Sequence, residues 1–172
     1  MRRAYREARP VLELSGPRLA AERATIGDAA RLQACLESAP GYYARAEGHP
    51  PEPRTALEML WDAEYDDRRH IFMLVPHPGA GAAGLLDLYL DYPEPKSAQL
   101  GLLLFREDCQ GQGYGTETTT ALEAALKGAG YRALRVAVLD GNEEATLFWE
   151  CLAFFSVGRL DHVATVYEKV LR

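Results

Sequence analysis

A glycine-rich segment constrains the fold of this 172-residue chain more than any other feature; it reads Gln110-Gly111-Gln112-Gly113-Tyr114-Gly115-Thr116. It follows an apolar strand predicted over 97–105 and precedes an amphipathic helix predicted over 116–128. Glycines let the backbone approach an anion closely. The N–H groups at a helix start bind phosphate with the help of the helix dipole. The sequence therefore predicts an α/β fold in which this turn holds a phosphate-bearing ligand.

Two common phosphate-binding patterns do not describe this turn. The P-loop pattern G-x-x-x-x-G-K-S/T needs a lysine that the segment lacks. The dinucleotide-binding pattern needs a glycine where the chain has Thr116, and an acidic residue at a strand end about twenty residues further on. A purely structural turn and a nucleotide-binding regulator remain alternatives at this point.

The rest of the chain has the pattern of a single mixed α/β domain. A lead-in of residues 1–18, with a short edge strand over 11–14, precedes a domain of residues 19–172. The domain's elements are predicted in the order β-α-α-β-β-β-α-β-α-β-β. Strands are expected at 19–25, 71–75, 82–92, 97–105, 132–139, 154–157 and 163–170, and helices at 28–37, 55–64, 116–128 and 142–152. The segment 41–53 is predicted to be a loop, and 82–92 and 97–105 an antiparallel hairpin.

Charge and composition exclude several classes of protein. The net charge of −6 argues against an extended nucleic-acid surface and favours cationic partners such as amines. Three cysteines are too few for a disulfide framework, and no apolar run is long enough to span a bilayer. Without a signal peptide, the chain is expected in the cytoplasm, with no nucleic-acid or membrane partner. No metal site is expected, because the histidines lack ligand spacing.

A second motif follows the glycine-rich turn by about 30 residues, with Asn142, Ala145, Phe148-Trp149 and Ala153-Phe154. Together, the two motifs resemble the GCN5-related N-acetyltransferase (GNAT) family. That family has a pyrophosphate loop Q/R-x-x-G-x-G/A and a second signature N-x-x-A-x-x-F/L-Y/W-x-x-x-G-F. The resemblance covers the element order over about 19–171 and is motif-specific over 97–155. It is strongest to a bacterial branch that also has Tyr92-Pro93 before the apolar strand.

The resemblance implies a GNAT-type acyl-CoA N-acyltransferase fold, a mixed central β-sheet flanked by helices. It implies that acetyl-CoA, as co-substrate, binds where two neighbouring parallel strands splay. Backbone groups of 103–105 would pair with the pantetheine arm, residues 111–116 would hold the pyrophosphate, and Asn142 would touch the pantetheine. The implied donor-binding residues are Leu103, Leu104, Phe105, Gln110, Gly111, Gln112, Gly113, Tyr114, Gly115, Thr116, Asn142 and Phe148.

The implied reaction is acetyl transfer from acetyl-CoA to a primary amine of a small molecule or peptide, by direct attack in a ternary complex. The amine must be held near the carbonyl, and a backbone N–H near 103–105 stabilises the developing oxyanion. Many family members protonate the leaving thiolate with a tyrosine where this chain has Trp149. An indole N–H only donates hydrogen bonds, so Trp149 is expected to orient the sulfur or to wall the cleft.

Several family members also place a glutamate base where this chain has Ala137. The first candidate for a replacement base is Asp87, followed by Glu47 and Asp91, although Asp87 could instead be a solvent-facing or pairing carboxylate. The acceptor is expected to contact Tyr42, Tyr43 and Glu47, with His49 nearby, in the loop 41–53. The alternative is that these tyrosines cap the core.

The two departures leave a non-catalytic acyl-CoA-binding module as the main alternative function. The identity of the acceptor amine is open. A homodimer is a further expectation, because related proteins are often dimers.

Overall fold

A mixed eight-stranded β-sheet forms the centre of the computed structural model, which describes residues 12–79 and 81–172. The strands lie in the order β1-β2-β3-β4-β5-β6-β8-β7. Among the strands of the described residues, β5 and β6 pair in parallel and the other neighbouring pairs are antiparallel. The strands are β1 (Leu14–Ser15), β2 (Leu19–Arg23), β3 (Arg69–Pro76), β4 (Gly84–Leu90), β5 (Ser97–Phe105), β6 (Ala133–Leu139), β7 (Phe155–Leu160) and β8 (Ala164–Val170).

Helices cover both faces of the sheet. They are α1 (Ala29–Glu37), α2 (Pro40–Ala46), α3 (Thr55–Tyr65), α4 (Tyr114–Gly128) and α5 (Glu143–Cys151), with 3-10 turns at Ile26–Asp28 and Glu107–Cys109. Side chains of α1 to α3 share one buried cluster with alternate residues of β3, β4 and β5. The other alternate residues form a second cluster with α4 and α5. Because both faces are covered, β3 and β4 are almost continuously apolar. None of the described helices is both long and apolar enough to cross a membrane.

The parallel strands β5 and β6 separate part of the way along their length. Their pairing runs only from Ser97 opposite Ala133 to Leu100 opposite Val136. On the other edge of β5, Leu88 pairs with Leu100 and Asp87 with Leu102, so Gly101 is an extra, bulged residue. A bulge bends the strand that carries it. The bulge therefore coincides with the start of the gap between 101–105 and 137–139.

The mixed sheet flanked by helices confirms the predicted fold class, and β4 and β5 form the predicted hairpin. The prediction of a loop over 41–53 is wrong in part, since α2 occupies Pro40–Ala46. A proline inside a helix usually ends it, but a proline at the first helical position is favourable, and Pro40 here begins α2. The division into a lead-in and one domain stays a prediction because residues 1–11 lie outside the described residues. The edge strand predicted over 11–14 is shifted: the described residues form it at Leu14–Ser15, and residue 11 lies outside them.

Candidate functional site

The gap between β5 and β6 opens into a cavity of about 500 Å³. Its walls are residues 100–105 of β5, residues 136–139 of β6, the glycine-rich turn, the start of α5 and two side chains of α2. Because 101–105 have no partner in β6, most of their backbone groups on that side are free to bind a ligand as a neighbouring strand would. The exception is the Phe105 carbonyl, which accepts from the Gln110 side-chain amide over 2.9 Å. The cavity therefore connects the two faces of the sheet.

At one end of this cavity, the glycine-rich turn begins α4 in a conformation that requires glycine. Gly111 and Gly113 have φ angles of 70° and 81°, which side chains rarely adopt. A Cβ atom on Gly115 would lie 3.1 Å from the Phe148 ring. The first N–H groups of a helix have no partner within it, so the start of α4 presents donors to an anion. These features favour a phosphate site at this end.

Arg18, which precedes β2, holds the glycine-rich turn from outside the cavity. Its Nε donates to Glu117 Oε2 over 2.7 Å and its Nη1 to the Gln112 carbonyl over 2.8 Å. Its guanidinium lies 4.6 Å from the centre of the Tyr114 ring. Glu117 Oε1 accepts from the backbone N–H groups of Arg18 and Leu19 at 2.7 and 3.2 Å. We call this arrangement of Arg18, Glu117 and Gln112 the loop clamp.

The start of α5 forms the opposite wall. Asn142 caps the helix by accepting from the Ala145 N–H over 3.2 Å, which leaves its amide N–H groups for a ligand. Trp149 is only 5% exposed and packs edge-on against Phe148 and Phe154, with ring centres 4.8 and 5.0 Å away. This aromatic packing fixes the indole as a wall of the cavity.

Helix α2 closes the cavity on the other face of the sheet. Tyr42 and Arg45 lie one turn apart and both line the cavity, as well as a side cavity of about 150 Å³ at the turn 139–142. Burial, with the nearby Glu47 carboxylate, raises the pKa of the Tyr42 phenol, so it stays a hydrogen-bond donor at neutral pH. Arg45 and Glu144 are the charged side chains lining the 500 Å³ cavity.

The structure brings together most of the predicted donor-binding residues. All of them except Gln112 line the cavity, and so does Trp149. The Gln112 amide instead donates to the Asp108 carbonyl over 2.8 Å, within the turn.

Asp87 lies outside the cavity lining, on β4 behind the bulge. It is 4% exposed, and both its oxygens accept from Arg69, at 3.1 and 2.8 Å. A Cβ atom on Gly101 would lie 3.3 Å from Asp87 Oδ2. The structure thus places Asp87 beside the start of the gap, in a buried ion pair. This arrangement fits the alternative interpretation, a carboxylate in an ion pair, better than it fits an open base.

Of the predicted acceptor residues, only Tyr42 lines the cavity. Tyr43 is 3% exposed and belongs to the core. Glu47 is exposed and lies outside the lining, 3.9 Å from the His49 ring nitrogen. Asp91 accepts from the Lys96 backbone N–H and is also outside the lining.

Sequence reasoning missed Arg45 and Glu144. Arg45 follows Tyr42 by three residues, a spacing that indicates a shared face only once the segment is recognised as a helix. Glu144 lies in the first turn of a helix whose start, Asn142, was predicted. Its own position near the cavity had no separate signal in the sequence.

The family model described as the Acetyltransferase (GNAT) family matches residues 32–154. Among solved structures, an acetyltransferase from Thermus thermophilus is 32% identical with a TM-score of 0.83, over 89% of this chain and 97% of that one. A PaiA N-acetyltransferase from Thermoplasma acidophilum, in complex with coenzyme A, is 15% identical with a TM-score of 0.67, over 88% and 98%. At that identity the likeness concerns the fold alone. A search of the curated proteins finds no match. The matches confirm the expected fold.

Proposed function

The chain belongs to the Acetyltransferase (GNAT) family, and from this premise we propose that it acetylates a primary amine of a small molecule or peptide. The proposed donor is acetyl-CoA, attacked directly by the amine in a ternary complex. One observation carries the proposal: a single cavity runs from the glycine-rich turn, through the gap between β5 and β6, to α2. Donor and acceptor can therefore approach each other from opposite faces of the sheet.

The residues at the donor end fit the chemistry of a CoA thioester. The pyrophosphate is a dianion, and the start of α4 offers N–H donors and the positive end of a helix dipole. The pantetheine arm carries two amides, and the backbone of 101–105, apart from the Phe105 carbonyl, offers the hydrogen bonds of a strand edge. The free amide of Asn142 and the Phe148 ring complete this end of the proposed site.

The reaction asks little of the side chains. Holding a neutral amine against the thioester carbonyl supplies a large part of the rate enhancement, and a backbone N–H of 103–105 is the proposed oxyanion donor. A thiol has a pKa of about 8.5, so the thiolate leaves without a strong acid. Trp149 is proposed to position the leaving sulfur by packing and by its indole N–H.

Asp87 remains the proposed base, acting through water. Its closeness to Gly101 supports this role, and its full engagement by Arg69 counts against it. The Asp87→Asn variant distinguishes a role as base from a role in the fold alone. A base predicts a lower kcat with a shifted pH profile and an unchanged acetyl-CoA affinity. Loss of stability without a change in the pH profile would assign Asp87 to the fold.

The experiment that tests the function has two steps. Thermal shifts are compared for CoA, acetyl-CoA, ATP and NAD, because a ligand that binds the folded state raises the melting temperature. Thiol release from acetyl-CoA is then followed across a panel of primary amines. We expect stabilisation by the two CoA compounds and thiol release that depends on the amine. Stabilisation by ATP or NAD alone would instead favour a nucleotide-binding regulator.

A non-catalytic acyl-CoA-binding module is the second candidate, favoured by Ala137, an apolar residue of the cavity wall where several family members have a carboxylate. It predicts stabilisation by acetyl-CoA without thiol release for any amine. Amine-stimulated release would exclude it.

Cytoplasmic location, a homodimer and the absence of nucleic-acid or membrane partners are further parts of the proposal. All three cysteines are free, which suits a reducing compartment. The edge strand β7 is exposed along its whole length and carries the apolar side chains of Phe155 and Val157. Exposed apolar edges of this kind pair with a second strand, which supports a dimer. Light scattering coupled to gel filtration measures the mass directly.

A further inference from the structure

The acceptor end of the cavity is lined by a cationic side chain, that of Arg45. Arg45 lies on α2, one turn after Tyr42, and both side chains line the 500 Å³ cavity and the 150 Å³ side cavity. The two cavities share four residues, Tyr42, Arg45, Leu139 and Asn142, so they adjoin each other. A ligand in the main cavity can extend a short substituent into the side cavity, beside the guanidinium.

No residue among 12–79 and 81–172 forms an ion pair or hydrogen bond with the Arg45 guanidinium. The carboxylate that lines the same side cavity, Asp140, already accepts from Arg159 at 2.6 Å with each oxygen. That ion pair lowers the pKa of Asp140, although the group is exposed. The next acid along the chain from Arg45, Glu47, lies by His49 and outside both cavities. Arg45 therefore keeps its capacity for an anion.

The side cavity is separate from the proposed phosphate site. It contains no residue of the turn 110–116, whose N–H donors lie at the other end of the main cavity. An anion at Arg45 is thus a different group from the pyrophosphate of the donor. The volume of about 150 Å³ is enough for a carboxylate.

We propose that Arg45 binds a carboxylate of the acceptor, so that the substrate class is amines that also carry a carboxylate, such as amino acids. A guanidinium binds a carboxylate through two parallel hydrogen bonds, which fixes orientation as well as affinity. The Tyr42 hydroxyl adds a donor on the same helix face. The inference rests on the proposed acetyl transfer, and it names the class of acceptor for that same site.

The test compares amino acids with the matched amines that lack the carboxylate, for example leucine with isopentylamine. Wild type and the variants Arg45→Ala and Arg45→Lys are assayed for thiol release and for acetyl-CoA affinity by calorimetry. Arg54→Ala is the matched control, because Arg54 is another exposed arginine at a helix end and lies outside both cavities. Circular dichroism checks that each variant is folded.

We expect Arg45→Ala to raise KM for the amino acid roughly 10- to 100-fold, the usual worth of a hydrogen-bonded charge. KM for the matched amine and the affinity for acetyl-CoA should stay unchanged, and Arg45→Lys should recover part of the loss. Equal effects on both acceptors, or wild-type preference for the amines without a carboxylate, would overturn the proposal. A fall in acetyl-CoA affinity alone would move Arg45 to the donor site and would also overturn it.

A second readout separates this proposal from the proposed acetyl transfer. Thermal shifts are measured for the same amino acids on protein saturated with CoA. Suppose that no acceptor causes thiol release from acetyl-CoA. A thermal shift with amino acids that is absent in Arg45→Ala then supports the carboxylate site, while the proposed acetyl transfer fails. Thiol release from amines with no dependence on Arg45 supports the function while this inference fails. If no acceptor is turned over and no amino acid gives a thermal shift, both the proposed function and this inference fail.

Discussion

The loop clamp makes a sharp prediction about Glu117. In the Glu117→Gln variant, an amide NH2 group replaces one of the two carboxylate oxygens. Oε1 of Glu117 accepts from two backbone N–H groups, and Oε2 accepts from Arg18 Nε over 2.7 Å. Glutamine has only one acceptor oxygen, so either the backbone or the guanidinium loses its partner. Because Arg18 also donates to the Gln112 carbonyl, a less firmly held Arg18 weakens the attachment of the glycine-rich turn to the start of β2.

The expected loss follows from the kind of hydrogen bond that is removed. A hydrogen bond to a charged group is worth about 1.5–3 kcal/mol, but the Arg18 side chain is 48% exposed and solvent weakens the interaction. We therefore expect the free energy of unfolding to fall by about 1–2 kcal/mol. At this chain length each kcal/mol lowers the melting temperature by about 2–4 °C. Acetyl-CoA should bind several-fold more weakly, because the turn that holds its pyrophosphate is less rigid.

The pH dependence gives an independent measure of the same contact. Burial raises the pKa of Glu117, but hydrogen bonds from the Arg18 backbone and guanidinium outweigh it and hold the pKa below the ordinary value of 4.5. A depressed carboxyl pKa stabilises the folded state above the unfolded pKa, and the effect is lost as pH falls through the folded pKa. The stability difference between wild type and Glu117→Gln should thus be constant from pH 7 to about pH 5 and shrink below pH 4.5.

The assay is urea unfolding followed by circular dichroism at pH 7 and pH 4. The matched control is Glu143→Gln, which removes a charge from the first turn of α5, where the charge acts on the helix dipole. A Glu117→Gln variant no less stable than Glu143→Gln would refute the reasoning. So would a stability difference from wild type that is as large at pH 4 as at pH 7.

Three further predictions concern the turn, the cavity and the core. Gly113→Ala should cost about 1–2 kcal/mol in urea unfolding and weaken acetyl-CoA binding, since φ is 81°, whereas Gly128→Ala, with open space around it, should be neutral or stabilising. A thiol reagent should label exposed Cys151 first; Cys109, whose pKa burial raises, should react slowly and be protected by CoA, as peptide mass spectrometry would reveal. Phe154→Ala should cost about 3–5 kcal/mol, because the ring is 1% exposed and packs on Trp149. A loss under about 1 kcal/mol would contradict that packing.

The parts of the fold and site that could be predicted are those encoded by neighbouring residues. Alternating and continuous apolar runs predicted the strands, and the closely spaced glycines predicted the turn at the start of α4. The positive φ angles of Gly111 and Gly113 agree with that local reasoning. Helix α2 was missed because proline and glycine have opposite meanings at the two ends of a helix. Helix α1 ends at Glu37 and α2 begins at Pro40, so the same residues are compatible with the end of one helix and with the start of the next.

Contacts between distant residues could not be predicted from one sequence. The loop clamp joins residues 99 positions apart. The ion pair of Arg69 and Asp87 depends on the register of β3 and β4, in which Arg69 is opposite Tyr89 and Ile71 opposite Asp87. A slip of one residue in that register would turn either side chain to the other face of the sheet. Asp87 could therefore be chosen as an acidic residue near the site, but its partner could not.

That ion pair also affects how any experiment on Asp87 must be interpreted. Asp87 Oδ2 and the Tyr89 ring occupy the space that a side chain on Gly101 would need, at 3.3 and 3.1 Å from its Cβ. The bulge at Gly101 begins the separation of β5 and β6, and this separation creates the cavity. Removing one partner of a buried ion pair commonly costs about 3–5 kcal/mol, so an Asp87 variant can lose activity by disturbing the bulge. Activity alone cannot identify a base here; unchanged donor affinity and a shifted pH profile are needed together.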